Sequence, residues 1–152
     1  MKILMVCLGN ICRSPLAHGI MQALIDKEGL DWQVDSAGTG DWHVGQAPDR
    51  RSIATAKGFG IDISGQQAQW FQSDMFDRFD KILVMDRQNY RDVIALAKTD
   101  DQREKVTLFL TEGEVPDPYF DDTMFESVYD MIAVQAKILL KTWQSEQQEE
   151  KA

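Results

Sequence analysis

At 152 residues, with 43% hydrophobic and 27% charged side chains, the chain has the make-up of one globular domain, 1–152, with material enough for a sizeable core. Its net charge of −9 runs against general nucleic-acid binding, which needs basic surface, and against adhesion to anionic lipid. No stretch approaches the roughly 20 apolar residues of a membrane span, the run Ile3–Val6 is shorter than a signal-peptide core of about 7–15 residues, and two cysteines make no secreted disulfide framework; the expected location is cytoplasmic, with no nucleic acid and no membrane as partner.

Lys2–Val6 reads as a strand covered on both faces, with the apolar Ile3–Val6 at its centre. After Pro15, the residues Leu16, Ile20, Met21, Leu24 and Ile25 keep helical spacing, and Gly29 stops the helix. Trp32–Ser36 is the second strand candidate, ending in Ala37-Gly38, and 38–49 reads as a loop. A helix is expected from Asp49 to Lys57, and a short one over Gln67–Phe71. Lys81–Met85 is the third strand candidate, Gln88–Ala97 a polar helix, and Val106–Leu110 the fourth strand. "TEGEVPDPYFDD" is a loop, and from Thr123 a long terminal helix follows, with a frayed tail from about 145 to 152. Strands alternating with helices predict an α/β three-layer sandwich: a four-stranded parallel sheet with helices on both faces. In such folds ligands sit at the carboxyl ends of the strands, where Cys7 lies.

The chemistry concentrates in "CLGNICRSP", which has the form C-x5-R between a strand and a helix. In such a turn, backbone N–H groups converge on one point, where a phosphate fits. Gly9 permits close approach of the backbone, and Asn10 is one of the few other residues that tolerate the left-handed region. Arg13 can hold two phosphate oxygens with its planar fork, and Pro15 suits the first helical turn. A helix N-terminus beside a cation favours the thiolate of Cys7, and Ser14 can donate a hydrogen bond to it. The phosphate-binding loop is thus Leu8, Gly9, Asn10, Ile11, Cys12, Arg13 and Ser14, with a nucleophile beneath it. The bland reading is a buried cysteine in a turn. Zinc is a further rival, with Cys7, Cys12, His18 and His43 as ligand types, but the spacing fits no common finger or ribbon and Arg13 opposes a cation. No metal and no cofactor is expected.

"VCLGNICRSP" is similar to the N-terminal signature of the low-molecular-weight protein tyrosine phosphatases, and the likeness runs on through "DSAGTGDWHVGQAPD" and "ILVMDRQN" to "VPDPYF". The resemblance implies a metal-independent phosphatase acting on phosphotyrosine in proteins, and on aryl phosphates, through a cysteinyl-phosphate intermediate. Cys7 attacks, Arg13 binds, and Asp117 of the D-P-Y sequence is the general acid. Read without the resemblance, Asp117-Pro118 is also ordinary turn chemistry. Trp42 and Tyr119 are expected to wall an aromatic cleft, with plain packing as the alternative for each. The related protein-arginine phosphatases usually carry threonine where Ile11 stands, so Ile11 looks like the tyrosine type. Ser36 is expected to help hold Asn10, and Asp86 to orient the loop; a turn serine and a helix cap are the alternatives. Two departures stand out: Gly65 where many members have a histidine that supports the asparagine, and Phe120 where a second tyrosine often follows.

Cys12 is expected to serve as redox partner of Cys7, forming a reversible disulfide, with space-filling as the alternative. Partners are tyrosine-phosphorylated proteins, and the chain is expected as a monomer or weak homodimer. Two other functions compete. An arsenate reductase needs a resolving cysteine pair outside the loop, and no cysteine follows Cys12. A non-catalytic phosphoresidue-binding module needs neither Cys7 nor Asp117.

Overall fold

A computed structural model of the chain describes residues 1–151. Four strands form one parallel sheet: β1 (Lys2–Cys7), β2 (Gln33–Gly38), β3 (Lys81–Val84) and β4 (Val106–Leu108), in the order β2-β1-β3-β4. The helices are α1 (Arg13–Lys27), α2 (Arg50–Gly58), α3 (Met75–Arg78), α4 (Arg87–Ile94), α5 (Asp100–Glu104) and α6 (Phe125–Lys151). This is the predicted α/β architecture.

β1 is the central strand, paired on both edges, and it explains the layering. Its side chains alternate between faces, as the period of two requires. Ile3, Met5 and Cys7 join the core made with α1, α2 and α6, where Leu16, Ile20, Met21, Ile132 and Trp143 pack. Leu4 and Val6 join the core of the other face, with Phe76 of α3 and Val93 of α4. Burial on both sides is why the strand is a continuous apolar run rather than an alternating one.

The short helix expected over Gln67–Phe71 does not form. The backbone there serves other partners: Gly38 N–H donates to the Gln69 carbonyl at 2.8 Å, and Phe71 N–H to the Gly38 carbonyl at 2.8 Å. The helix lies later, as the four-residue α3. α5 was not expected, although Thr99 caps it: Thr99 Oγ1 accepts from Gln102 N–H, and Gln102 Oε1 accepts from the N–H of Lys98, one residue before the cap. α6 continues through residues 145–151 of the tail expected to fray, while residue 152 lies outside the described residues. Among the described residues, no helix is long and apolar enough to cross a membrane.

Candidate active site

The loop 8–12 leaves the carboxyl end of β1 and enters α1. Its shape follows from its neighbours. The carbonyls of Cys7 and Leu8 accept from Thr39 and Gly40 N–H, both at 2.9 Å, and the Ile11 carbonyl accepts from Asp49 N–H at 2.8 Å. Ser52 Oγ lies 3.4 Å from the Cys12 carbonyl. The amides of Gly9, Asn10, Ile11 and Cys12 donate to no protein group among the described residues. Carbonyls engaged outside and amides free inside are the arrangement that receives a tetrahedral anion. β2 closes on the loop at Gly38, where a Cβ would stand 2.8 Å from the Leu8 carbonyl oxygen.

Asn10 is the only non-glycine residue of positive φ among the described residues, at 56°. Its side chain fixes the centre of the loop. Asn10 Oδ1 accepts from Gln69 N–H at 2.9 Å, which leaves Nδ2 to donate to Ser14 Oγ at 2.7 Å. Ser14 Oγ stands 3.0 Å from Cys7 Sγ. Because the serine oxygen already accepts from Asn10, its own hydrogen is free to donate to the sulfur. The result is a directed chain, Gln69 to Asn10 to Ser14 to Cys7, with every donor pointing toward the thiol.

Arg13 is 2% exposed, at the first position of α1. Nη1 donates to Asp86 Oδ2 at 2.7 Å and to the Val115 carbonyl at 3.0 Å, and Nη2 lies 3.7 Å from Asp117 Oδ2. Burial works against the guanidinium charge, but Cys7, Asp86 and Asp117 outweigh it and hold the Arg13 pKa above its ordinary value. Asp86 bonds in two directions. Its Oδ2 takes Arg13, while Oδ1 accepts from Asn89 N–H and caps α4 at 2.8 Å.

Asp117 approaches from the loop after β4. Its Oδ1 accepts from Tyr119 N–H at 3.1 Å, a local turn that leaves Oδ2 toward Arg13. Tyr119 is held in turn: the Arg51 guanidinium sits 5.4 Å from its ring centroid, and Phe120 meets it edge-on at 4.9 Å. Trp42 lies against Gly40, where a Cβ would fall 1.4 Å from the ring. Trp42, Tyr119, Phe120, Leu8, Ile11 and His43 surround a cleft of about 380 Å³ with Cys7, Cys12, Arg13 and Asp117 at its base and wall. That size suits one aromatic side chain with its phosphate.

Among the described residues Ser36 makes no hydrogen bond to Asn10. Both ends of the asparagine amide are already taken, by Ser14 and by Gln69. Ser36 Oγ instead lies 3.1 Å from His18 Nδ1, and burial pushes that imidazole below its ordinary pKa against the opposing charge of Asp35. The Ser36 carbonyl still serves the loop at one remove, because Gln69 Nε2 donates to it at 3.2 Å and to Asp35 Oδ1 at 3.0 Å. Gln69 is the residue that sequence reasoning missed. Its contribution is a main-chain amide, which leaves no mark on residue type.

Gly65 is exposed and supplies nothing to Asn10. Cys12 is buried, and burial pushes its thiol pKa up to about 12, with Asp49, Cys7 and Asp117 adding to the effect. The four residues weighed as zinc ligands do not converge: among the described residues no three His, Cys, Asp or Glu side chains form a metal-sized group, and His43 Nδ1 pairs with Gln46 Oε1 at 3.0 Å.

Comparison with known proteins gives one answer. The family model for low molecular weight phosphotyrosine protein phosphatase matches residues 2–149. The Synechocystis protein slr0328 is 44% identical over 87% of this chain and 89% of its own. The low molecular weight protein-tyrosine-phosphatase YfkJ of Bacillus subtilis is 34% identical over 97% of this chain and 98% of its own, and its crystal structure superposes with a TM-score of 0.89 over 96% of each. A protein tyrosine phosphatase from Entamoeba histolytica, crystallised with Hepes in its active site, superposes with a TM-score of 0.90 at 31% identity, over 97% of this chain and 99% of its own. A match across nearly the whole chain, in sequence and in fold, means that this chain belongs to the low molecular weight phosphotyrosine protein phosphatase family.

Proposed function

We propose that the protein hydrolyses phosphotyrosine in proteins, and small aryl phosphates, by a two-step covalent route that uses no metal. The observation that carries this reading is the thiol of Cys7, 3.0 Å from Ser14 Oγ, beneath a loop whose amides are free and beside a buried arginine. The loop amides and Arg13 hold the three non-bridging phosphate oxygens. The Cys7 thiolate attacks phosphorus in line, and the bond from phosphorus to the phenolic oxygen breaks. Asp117, as the carboxylic acid, gives its proton to that oxygen. A phenol leaves, and phosphate remains on sulfur. Asp117, now a carboxylate, takes a proton from water as the water attacks phosphorus. The bond to sulfur breaks, inorganic phosphate leaves, and the thiolate and the acid are restored. Charge that a metal would otherwise neutralise is met by Arg13 and the amides. Hepes, which carries a tetrahedral sulfonate, stands in the active site of the Entamoeba relative, and a tetrahedral anion is what this loop is proposed to hold.

Trp42 and Tyr119 supply walls for the phenyl ring, and these aromatic walls favour phosphotyrosine over phosphoserine, which has no ring to pack against them. The nucleophile must stay a thiol, so the working compartment is a reducing one, the cytoplasm, where tyrosine-phosphorylated proteins are the partners. The test is turnover of matched phosphotyrosine and phosphoserine peptides in the presence of EDTA. Sustained turnover with a strong preference for phosphotyrosine is expected. Parity between the two peptides refutes the aromatic cleft, and loss of turnover in EDTA refutes the metal-free route.

A further inference from the structure

We infer that α6 carries a self-association surface whose partner is the same helix of a second copy of this chain, packed antiparallel. Met131, Val134 and Ile138 are 37%, 62% and 53% exposed. Their spacing places them on one face of the helix. That face is opposite Ile132, Ala136 and Trp143, which are buried against the sheet. A helix that already buries one stripe in its own core therefore carries a second, apolar stripe on its outer side.

The charges beside this stripe identify what covers it. Glu126 and Asp130 lie one turn apart, as do Lys137 and Lys141, and all four are exposed along one flank of the stripe. Like charges at this spacing work against the helix. Among the described residues none of the four forms an ion pair that would relieve this. A second copy running antiparallel relieves it completely. Glu126 and Lys141 lie symmetrically about the midpoint between residues 133 and 134, and so do Asp130 and Lys137. One two-fold axis at that midpoint sets Glu126 against Lys141 of the other copy, and Asp130 against Lys137 of the other copy. The same axis brings Val134 against Val134 and Ile138 toward Met131. A parallel two-fold pairing would set this flank against the opposite flank of the other helix, so the four charges would not meet one another. The surface is self-complementary in both charge and apolar contact, as a two-fold interface must be.

Three apolar and four charged side chains fall well short of the roughly 20–30 residues a side of a stable complex, so the dimer is weak and reversible. None of these residues lines the catalytic cleft, and the association leaves both clefts open.

Analytical ultracentrifugation of the whole chain up to about 1 mM tests this, with five proteins: the parent, Val134→Glu, Asp130→Lys, Lys137→Asp, and the variant carrying both charge reversals. Far-ultraviolet circular dichroism and aryl phosphatase activity confirm that each is folded. All substitutions are at exposed positions, so the fold is expected to persist. The parent should dimerise reversibly as its concentration rises. Val134→Glu should weaken the dimer by about tenfold or more, because it sets two carboxylates against each other at the axis. Each single charge reversal should weaken it by about threefold or more, and the double reversal should restore it. A parent that stays monomeric throughout overturns the proposal and leaves the stripe to a different protein or to none. A dimer indifferent to Val134→Glu also overturns it, since the contact is then elsewhere. A double reversal no better than the singles overturns the antiparallel register.

Discussion

Arg13 Nη2 faces Asp117 Oδ2 at 3.7 Å, where the buried base of the loop meets the loop that follows β4. The two residues are 104 positions apart, and the sheet order brings their loops together at one end. The pair sets a fixed cation beside the carboxyl group proposed as the acid for the leaving oxygen. Asp117→Asn keeps the shape and removes the proton. The expected loss is about 10²–10⁴-fold on phosphotyrosine, whose phenol leaves poorly. On an activated nitrophenyl phosphate the loss should be much smaller, since that phenolate leaves without help. Comparing kcat on the two substrates checks this. Equal losses on both would remove Asp117 from the acid role.

Asp86 joins Arg13 to the N-terminus of α4 through its two oxygens. Asp86→Ala should therefore show two separable defects. Loss of the cap costs stability, about 0.5–2 kcal/mol in chemical denaturation. Loss of the anchor lets the guanidinium swing, and phosphate inhibition should weaken by about tenfold or more. Asp86→Asn retains a capping oxygen and should recover most of the stability but not the phosphate affinity. A variant with weakened stability and unchanged phosphate inhibition would confine Asp86 to capping.

Asn10 combines a left-handed backbone, φ 56°, with two side-chain hydrogen bonds. Asn10→Gly restores backbone freedom and loses only the bonds. Asn10→Ala loses the bonds and also carries the left-handed cost of about 1–2 kcal/mol. The alanine variant should be the less stable of the two by thermal denaturation. Both should lose turnover, because Ser14 no longer has a fixed partner and the Gln69 amide is left unpaired. Equal stability of the two variants would mean that the loop does not hold this conformation in solution.

Much of the fold was legible because burial on both faces leaves β1 and β3 as unbroken apolar runs, and alternation with helices then fixes a parallel sheet. The nucleophile and the arginine were legible because their chemistry demands particular residue types at a fixed spacing in one short loop. The support of Asn10 was not. It comes from a main-chain amide of Gln69, 59 residues away, in a segment whose side chains suggested a helix. The segment is instead held open by hydrogen bonds to Gly38 at the end of β2. Ser36 was assigned to Asn10 by family likeness, whereas here His18 of α1 takes its hydroxyl. Non-local backbone pairing is invisible to residue patterns, and a partner on a neighbouring element can take a side chain without leaving a mark in that side chain's own sequence context.

Cys12 sits in the same cleft wall as Cys7, with its thiol pushed up to about 12. A pKa above the ambient pH keeps the group protonated, so its thiolate fraction rises about tenfold for each pH unit up to that value. If peroxide converts Cys7 to a sulfenic acid, condensation with Cys12 to a disulfide should accelerate as pH rises from 6 to 9. Recovery by a thiol reductant after peroxide should be full in the parent at the upper end of this range and poor in Cys12→Ser. Equal recovery in the parent and the variant at all pH values would leave Cys12 as packing alone.

The covalent role of Cys7 is tested most directly by Cys7→Ser, measured on phosphotyrosine peptide for both turnover and phosphate binding. Arg13, the loop amides and Asp117 all remain, so the account predicts that inorganic phosphate still binds while turnover is abolished, with no phosphate carried on residue 7 after rapid acid quench, in contrast to a phosphorylated Cys7 in the parent. Near-normal turnover of Cys7→Ser, or a quenched parent enzyme that never carries phosphate on Cys7, would contradict it.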